Sequence, residues 1–417
     1  MIPQIKERIR QIQCGEMPKG YEKTKVGVIP SEWEIHPLSQ HLSESRISGT
    51  NGAVAKKLTV KLWNKGVYEK REIHEGSEST TYYKRKAGQF IYSKLDFLNC
   101  AFGIIPKYLD GYESTQDLPC FDIDEVDPYY LLTYVTQRNF YTHFGMIADG
   151  GRKARRVGPD DMLSFPLVYP PLAEQEKIAQ ILSAQDKLIT LKEKLIEEKQ
   201  RQKKYIIREI LSQNIKIKKQ DGSTYSKWET SNIGTYLTSR NEKQIPTEDA
   251  PLMAFVAGVG VTPKGERYDR SFLVKNDEKE YKRTEQNDFI YSSNNLDVGS
   301  IGLNNYGSAV ISVVYEIFTV NPNAIPIVIS EIIQMRSNIN KILRYRQGAL
   351  YGQYRIVAED FLSVKIDVPS LEEQKIIAKI MLFLEKEIDL LRKELEQEKQ
   401  KKKALMQLLL TGIVRTS

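Results

Sequence analysis

The sequence predicts an α+β protein: two tandem mixed α/β domains separated by two long helices that form an antiparallel coiled coil, with a pseudo-twofold between the copies. Three observations support this fold class. One helix-start motif occurs twice in the 417 residues, 199 positions apart. Two segments of about 40 residues contain neither Gly nor Pro. The remaining sequence has short apolar runs, rich in β-branched and aromatic residues, that Gly, Asn, Asp and Pro separate.

The repeat contains several landmarks in the same order. The stretch "PPLAEQEKIAQIL" begins at Pro170, and "PSLEEQKIIAKIM" begins at Pro369. The tetrapeptide "FIYS" occurs at 90–93 and again at 289–292. A tryptophan lies near the start of each copy, at Trp33 and Trp228. A repeat of this length is too long for a solenoid, so it indicates duplication of a whole domain together with a helix.

Each Gly- and Pro-free segment predicts a helix roughly 60 Å long. Proline fixes each entry, and Ser370 with Glu373 three residues later forms a capping box. Apolar residues at steps of three and four predict one narrow seam per helix. The predicted seam residues are Ile181, Leu188, Leu191 and Leu195 in the first helix, and Leu384, Ile388, Leu391 and Leu395 in the second. A narrow seam needs a partner, so we expect the two helices to pair antiparallel, with the globular copies at opposite ends. The alternative is that each helix packs on its own domain.

These elements predict five segments. They are an N-terminal helical segment (1–20), a first α/β domain (21–169), a central long helix (170–213), a second α/β domain (214–368) and a distal long helix (369–417). The first segment resembles the tail of a long helix, so it is either a displaced piece of the distal helix or a frayed leader.

Composition restricts the function classes. Net charge is +7, which permits a nucleic-acid partner without requiring one. No apolar run reaches the roughly 18 residues of a membrane helix, and the N-terminus has no apolar signal core. Three separated cysteines fit a cytoplasmic protein, and the four histidines show no metal-ligand spacing. Because no catalytic motif is recognisable, we expect a protein that is not an enzyme and holds no metal or cofactor.

Basic and aromatic residues cluster at repeated positions beside glycine turns. Arg and Lys bind phosphates, and Arg or Gln can bind the edges of guanine or adenine. A solvated charged loop is the alternative at each place. The DNA-binding candidates are Tyr83, Lys84, Arg85, Lys86, Arg152, Lys153, Arg155 and Arg156 in the first copy, and Tyr281, Lys282, Arg283, Arg344, Arg346, Gln347, Tyr351, Gln353 and Arg355 in the second.

The chain resembles the specificity (S) subunit of bacterial type I restriction–modification systems over essentially its whole length. The resemblance is carried by the twice-used "P-[PS]-L-x-E-Q-x-x-I" entry at 170–178 and 369–377, the opening "MPKGYEKTKVGVIPSEWEIHPL" at 17–38, and "LLLTGIVR" near the C-terminus. It implies two target-recognition domains, each reading one half of a split sequence in double-stranded DNA. The first domain departs from the second between Gly103 and Asp127, so we expect an asymmetric target.

The resemblance also implies partners. The long helices would dock two modification (M) subunits, which bind S-adenosylmethionine and methylate adenine. Restriction (R) subunits, which use ATP and Mg, would join for cleavage. Two competing interpretations remain: a coiled-coil scaffold with two protein-binding heads, and a DNA-reading enzyme with an unrecognised site.

Overall fold

The computed structural model describes residues 3–71, 77–146, 156–263, 279–294, 296, 300–350 and 353–416, without the side chains of 349, 350, 353 and 354. The chain forms two compact units. Unit 1 comprises Met1–Lys194 with Arg392–Ser417, and unit 2 comprises Leu195–Leu391. Each long helix therefore contributes one part to each unit, whereas the sequence-based segments divide the chain at the helix ends. Those segment boundaries stay a prediction.

Unit 1 is a mixed α/β structure built from short strands. Its helices are α1 (Pro3–Gln13), α2 (Pro128–Val135), α3 (Arg138–Gly145), α4 (Pro159–Ser164) and the first part of α5 (Leu172–Leu211). Its strands are β1 (Tyr21–Thr24), β2 (Gly27–Pro30), β3 (Glu34–Pro37), β4 (Leu42–Glu44), β5 (Ser48–Asn51), β6 (Leu58–Val60), β7 (Val67–Glu69), β8 (Thr81–Lys84), β9 (Phe90–Tyr92), β10 (Phe102–Ile104), β11 (Glu113–Ser114), β12 (Cys120–Ile123) and β13 (Pro166–Tyr169).

The sheets of unit 1 are small and antiparallel. A four-stranded sheet has the order β10-β9-β12-β4 and a three-stranded sheet the order β11-β8-β5. Hairpins β1-β2 and β6-β7 and the pair β13-β3 complete the set among the described residues. The "FIYS" strand β9 lies inside the larger sheet, and Phe90, Ile91 and Tyr92 are fully buried. An all-apolar strand of this kind is expected where both faces of a sheet are covered.

Unit 2 repeats the two larger sheets of unit 1. Its strands are β14 (Glu229–Asn232), β15 (Leu237–Ser239), β16 (Lys243–Gln244), β17 (Met253–Val256), β18 (Gly260–Pro263), β19 (Tyr281–Thr284), β20 (Phe289–Ser292), β21 (Ile301–Leu303), β22 (Ala309–Ile311), β23 (Tyr315–Val320), β24 (Gln347–Leu350), β25 (Gln353–Arg355) and β26 (Lys365–Val368). Its helices are α6 (Pro326–Gln334), α7 (Arg336–Ile342), α8 (Ala358–Ser363) and the first part of α9 (Leu371–Leu410).

The strand orders β21-β20-β23-β15 and β22-β19-β16 match those of unit 1 element by element. The second "FIYS" strand, β20, is again central and buried. The fold class is therefore confirmed as a duplicated α+β architecture with two long helices. Hairpin β24-β25 is described in unit 2, whereas the corresponding stretch of unit 1, residues 147–155, lies outside the described residues.

The long helices pair antiparallel within each unit. In unit 1, Ile178 and Leu182 near the start of α5 share a core with Leu409 and Leu410 at the end of α9. In unit 2, the end of α5 at Ile207–Leu211 shares a core with the start of α9 at Ile377–Met381. Ion pairs flank the apolar contacts: Lys192 Nζ is 2.7 Å from Glu394, and Lys199 Nζ is 2.6 Å from Glu387. The predicted position of the copies at opposite ends stays a prediction.

The predicted seam is correct for α9 and wrong for α5. Leu384, Ile388, Leu391 and Leu395 are buried or half-buried. By contrast Ile181, Leu188, Leu191 and Leu195 are 39%, 37%, 54% and 43% exposed. The buried stripe of α5 runs instead through Ile178, Leu182, Gln185, Ile189 and Ile196.

Polar residues on the buried stripe explain the error. Gln185 is 7% exposed and donates from Nε2 to the carbonyl oxygen of Glu398 at 3.1 Å and to its side chain at 2.7 Å. Lys192, one heptad later, is the residue that pairs with Glu394. Two polar residues interrupt the true seam, so the neighbouring leucine stripe has the more regular apolar pattern.

Candidate nucleic-acid interface

The glutamate of the repeated helix-entry motif ties each long helix to an α/β domain. The indole Nε1 of Trp33 donates to Glu174 at 3.1 Å, and Trp228 makes the same bond to Glu373, also at 3.1 Å. A buried indole N–H requires an acceptor, so each tryptophan is matched to the first turn of its helix. This contact explains why the tryptophans recur with the motif.

The glutamine of the motif fixes the helix entry from a second direction. Gln175 accepts from the backbone N–H of Asp127, which precedes α2, and donates to the carbonyl of Pro170. Gln374 makes the corresponding two bonds in unit 2, to the residue before α6 and to the proline at the entry of α9. Both glutamines are essentially fully buried. The motif is therefore architectural, and it sets the orientation of each domain's helices relative to its sheet.

The two motif glutamates differ in their electrostatic surroundings. Glu174 also accepts from Arg415 Nε at 2.8 Å and Nη2 at 2.9 Å, and these bonds with that of Trp33 outweigh burial and lower its pKa. The side chain of Glu373 accepts from the Trp228 indole, and burial raises the pKa of Glu373. The same position is thus an ion pair in unit 1 and a desolvated carboxyl in unit 2.

The first predicted DNA-binding cluster is divided by burial. Lys84 and Lys86 are exposed, and Tyr83 is half-buried. Arg85 is 2% exposed, and its guanidinium donates to Ser114 Oγ at 2.8 Å and to the Ser45 carbonyl at 2.7 Å. Burial lowers the pKa of Arg85. The prediction that Arg85 contacts DNA is therefore corrected: its donors are used within the domain, where they join the residue after β8 to β11 and to the end of β4.

The corresponding cluster in unit 2 is divided in the same way. Lys282 is 9% exposed, and its Nζ lies 2.7 Å from Glu316 and 2.8 Å from the carbonyl of Tyr315. This lysine holds β19 to β23, so its predicted role as a DNA contact is likewise corrected. Tyr281 is half-buried, and Arg283 is partly exposed but bonded to Glu285.

The second predicted cluster lies at a loop in unit 1 and at hairpin β24-β25 in unit 2. Arg152, Lys153, Arg155 and Tyr351 lie outside the described residues, as does the side chain of Gln353. Arg344 and Gln347 are exposed, Arg346 is half-buried, and Gln347 Nε2 donates to Asp360 at 2.5 Å.

This cluster has one arginine with a described side chain at the same place in each unit, Arg156 in unit 1 and Arg355 in unit 2. Each of them is exposed and lies near one carboxylate. The side chain of Arg156 is 56% exposed, and its Nη2 is 4.0 Å from Asp117. The side chain of Arg355 is 62% exposed, and its Nη2 is 3.7 Å from Glu316. Sequence reasoning missed the two carboxylates, although both stand at the 199-residue offset and are acidic in each copy.

No group of three or more potential metal ligands occurs among the described residues, and in that same part of the chain no helix is long and apolar enough to cross a membrane. His36 and His41 contact each other, with Nδ1 and Nε2 2.9 Å apart, and both stack on Tyr169. These histidines have a structural environment inside unit 1.

Known proteins with similar sequences and folds agree with these observations. A family model described as the type I restriction modification DNA specificity domain matches residues 118–200 and 225–400. The chain is 25% identical over 433 residues to the putative type I restriction enzyme MjaX specificity subunit of Methanocaldococcus jannaschii, covering 95% of this chain and 97% of that protein.

Two solved structures share the fold at 14% identity. One is the HsdS subunit from Thermoanaerobacter tengcongensis, with a TM-score of 0.50 over 93% of this chain and 98% of that chain. The other is a chain from a study of complex assembly and conformational transition of the type I R-M system, with a TM-score of 0.57 over 93% and 99%. At this identity the likeness concerns the fold, whereas the family model covers more than half of the sequence. The chain therefore belongs to the type I restriction–modification DNA specificity family.

Proposed function

We propose that this chain reads a bipartite, asymmetric target in double-stranded DNA, with one α/β domain for each half-site. The observation that carries the proposal is the duplicated domain with an exposed arginine at the same place in each copy. Two copies of one scaffold can present two surfaces to DNA, and surfaces of different sequence select different words. The first domain departs in sequence from the second between Gly103 and Asp127, which supports an asymmetric target.

We further propose that the long helices dock two M subunits. The support is the leucine-rich stripe that the α5 seam leaves uncovered, comprising Ile181, Leu188, Leu191 and Leu195. On α9, Leu382, Phe383 and Leu390 are also more than half exposed. Aligned exposed apolar residues on a helix are typical of a protein interface.

In this proposal the chain itself is not catalytic and acts in the cytoplasm. S-adenosylmethionine would be bound by the M subunits, and ATP with Mg by R subunits that join for cleavage. The absence of a recognisable catalytic motif in the sequence supports this division of labour.

The test is a methylome. The chain is co-expressed with its neighbouring M subunit in a host without adenine methylation, and modified adenines are mapped by single-molecule sequencing. A single motif of two different words around a fixed gap, methylated on both strands, is the expected result. A soluble complex that methylates no motif would refute the proposal and favour a coiled-coil scaffold with two protein-binding heads. Metal-dependent cleavage by the isolated chain would favour an enzyme.

A further inference from the structure

The two copies contain a cluster of four residues that recurs at the 199-residue offset, with the same backbone hydrogen bonds and the same arginine–carboxylate pair. We call it the arginine clamp: in unit 1 it consists of Arg156, Val157, Tyr92 and Asp117, and in unit 2 of the four residues 199 positions later, Arg355, Ile356, Tyr291 and Glu316. Each clamp lies within one unit.

In each unit the residue after the arginine is held by two hydrogen bonds, one to its carbonyl oxygen and one from its N–H. In unit 1, Tyr92 OH donates to the carbonyl of Val157 at 3.1 Å, and the Val157 N–H donates to the carbonyl of Lys94 at 3.2 Å. In unit 2, Tyr291 OH donates to Ile356 at 3.1 Å, and the Ile356 N–H donates to Ser293 at 3.1 Å.

The anchored residues are buried and the arginines are not. Val157 and Ile356 are 0% and 2% exposed, whereas the preceding arginine side chains are more than half exposed. Each guanidinium touches its carboxylate at the limit of an ion pair, 4.0 and 3.7 Å. Long ion pairs of exposed arginines contribute little free energy, and Glu316 is in addition held by Lys282 at 2.7 Å, so neither carboxylate competes strongly for its arginine.

A rigid backbone with an exposed, loosely paired guanidinium is suited to an anion. The arginine fork matches a phosphate, and pre-ordering of the backbone reduces the entropy lost on binding. In a DNA-binding protein the available anion is the backbone phosphate.

We infer that Arg156 and Arg355 are equivalent phosphate contacts, one per half-site, which position each domain on the duplex and do not read bases. The inference rests on the proposed DNA-reading function and assigns a role within it. Its key step is the repetition: a contact made identically by two domains cannot distinguish two different words, whereas phosphates are the same in both.

The test uses the full chain in complex with its M subunit and a duplex carrying the motif found by the methylome. Affinity is measured by fluorescence anisotropy over a range of KCl concentrations. The variants are Arg156→Gln, Arg355→Gln and the double variant. Arg10→Gln is the matched control, because Arg10 is also exposed and paired with a carboxylate, Glu7, but lies on α1.

Each single variant is expected to bind roughly 3- to 10-fold more weakly, and the slope of log affinity against log salt should fall by about 0.9 per lost contact, or about 1.8 in the double variant. The weakening should be the same for cognate and scrambled duplexes, the methylated motif should not change, and Arg→Lys should restore the slope. Asp117→Asn should strengthen binding a few-fold, because it removes a negative charge beside the phosphate.

Thermal unfolding of each variant distinguishes a binding defect from a folding defect. If the Arg→Gln variants fail to fold, the Arg→Lys variants, which retain the charge, take their place. The inference is overturned if the wild-type complex binds its motif and the double variant has an unchanged salt slope. It is also overturned if a variant relaxes the motif at one base position, which would identify a base contact. Failure of the wild-type complex to bind any duplex would instead refute the proposed function.

Discussion

Glu174→Gln should destabilise the protein at neutral pH, whereas Glu373→Gln should not. The two residues occupy the same motif position and both accept from a tryptophan indole. They differ because Arg415 donates twice to Glu174, and the backbone N–H of Thr416 donates at 3.2 Å. A glutamine at 174 would keep the volume but would lose the charge and turn an amide NH₂ toward donors.

The magnitude follows from the partners and the burial. Glu174 is 5% exposed, and hydrogen bonds to charged groups contribute about 1.5–3 kcal/mol each. Arg415 is 20% exposed and also pairs with Glu32, so it keeps one partner after the substitution. We therefore expect a loss of about 2 kcal/mol, which is below the roughly 3–5 kcal/mol for breaking a fully buried pair because Arg415 is partly exposed and keeps Glu32. For a unit of this size that corresponds to a fall in Tm of about 4–8 °C.

The pH dependence should have opposite sign at the two sites. The pKa of Glu174 is lowered in the folded state, so its contribution is present above its unfolded pKa and is lost as pH falls through the folded value. The pKa of Glu373 is raised, so the folded state is favoured by protonation, and stability is lost as pH rises through the folded value. Glu373→Gln removes this loss and should be neutral or slightly stabilising at pH 7.

The assay is thermal unfolding followed by circular dichroism at pH 7 and at pH 5, with wild type, both variants and Arg415→Ala. Arg415→Ala should resemble Glu174→Gln, because either change breaks the same pair. Equal Tm shifts for Glu174→Gln and Glu373→Gln at pH 7 would refute the reasoning, since the difference between the sites rests on the arginine.

Two further predictions concern the corrected residues. Ile189→Ala should lower the free energy of unfolding by about 2 kcal/mol, whereas Leu188→Ala should change it by less than about 0.5 kcal/mol. Leu188→Ala should instead reduce recovery of the M subunit in a tagged pull-down. If Leu188→Ala were the more destabilising variant in thermal unfolding, the seam predicted from the sequence would be the correct one. Arg85→Met should lower the free energy of unfolding by about 3 kcal/mol, because it leaves buried acceptors without donors. Lys86→Met should leave the stability nearly unchanged. Equal thermal stability of the two variants would show that the hydrogen bonds of Arg85 contribute little.

The sequence was sufficient for the features that depend on periodicity and repetition. The 199-residue offset identified the duplicated domain, and the helix-entry motif placed α5 and α9, which begin at Leu172 and Leu371. The sequence did not show which face of α5 is buried, because helical periodicity identifies only the face with the most apolar residues. Gln185 lies on the buried stripe since it bonds Glu398 across the helix pair, and that contact is not visible in one helix.

The location of the candidate interface stays a prediction, and the environment of each candidate residue could not be read from the sequence. The sequence gives Lys84, Arg85 and Lys86 the same charge, whereas Arg85, just after the end of β8, is buried by its hydrogen bonds to Ser45 and Ser114. Likewise Lys282 is drawn inward by Glu316, which lies 34 residues later in the chain. The side that a charged residue faces depends on the strand it pairs with, and a cluster in sequence does not specify that strand.

Under the proposed function, the duplication predicts which positions hold residues that read bases and which do not. Residues shared at the 199-residue offset form contacts that are identical in both units: Gln175 and Gln374 at the helix entries, and Tyr92 and Tyr291 in the clamps. A residue that discriminates between two different words must differ between the copies, because identical side chains in identical geometry would select the same bases. Base-reading residues should therefore be sought at unmatched positions such as Gln347, which corresponds in sequence to Ala148 of the first copy. Exchanging Gln347 should then alter one half-site while the other word and the gap stay unchanged in the methylome.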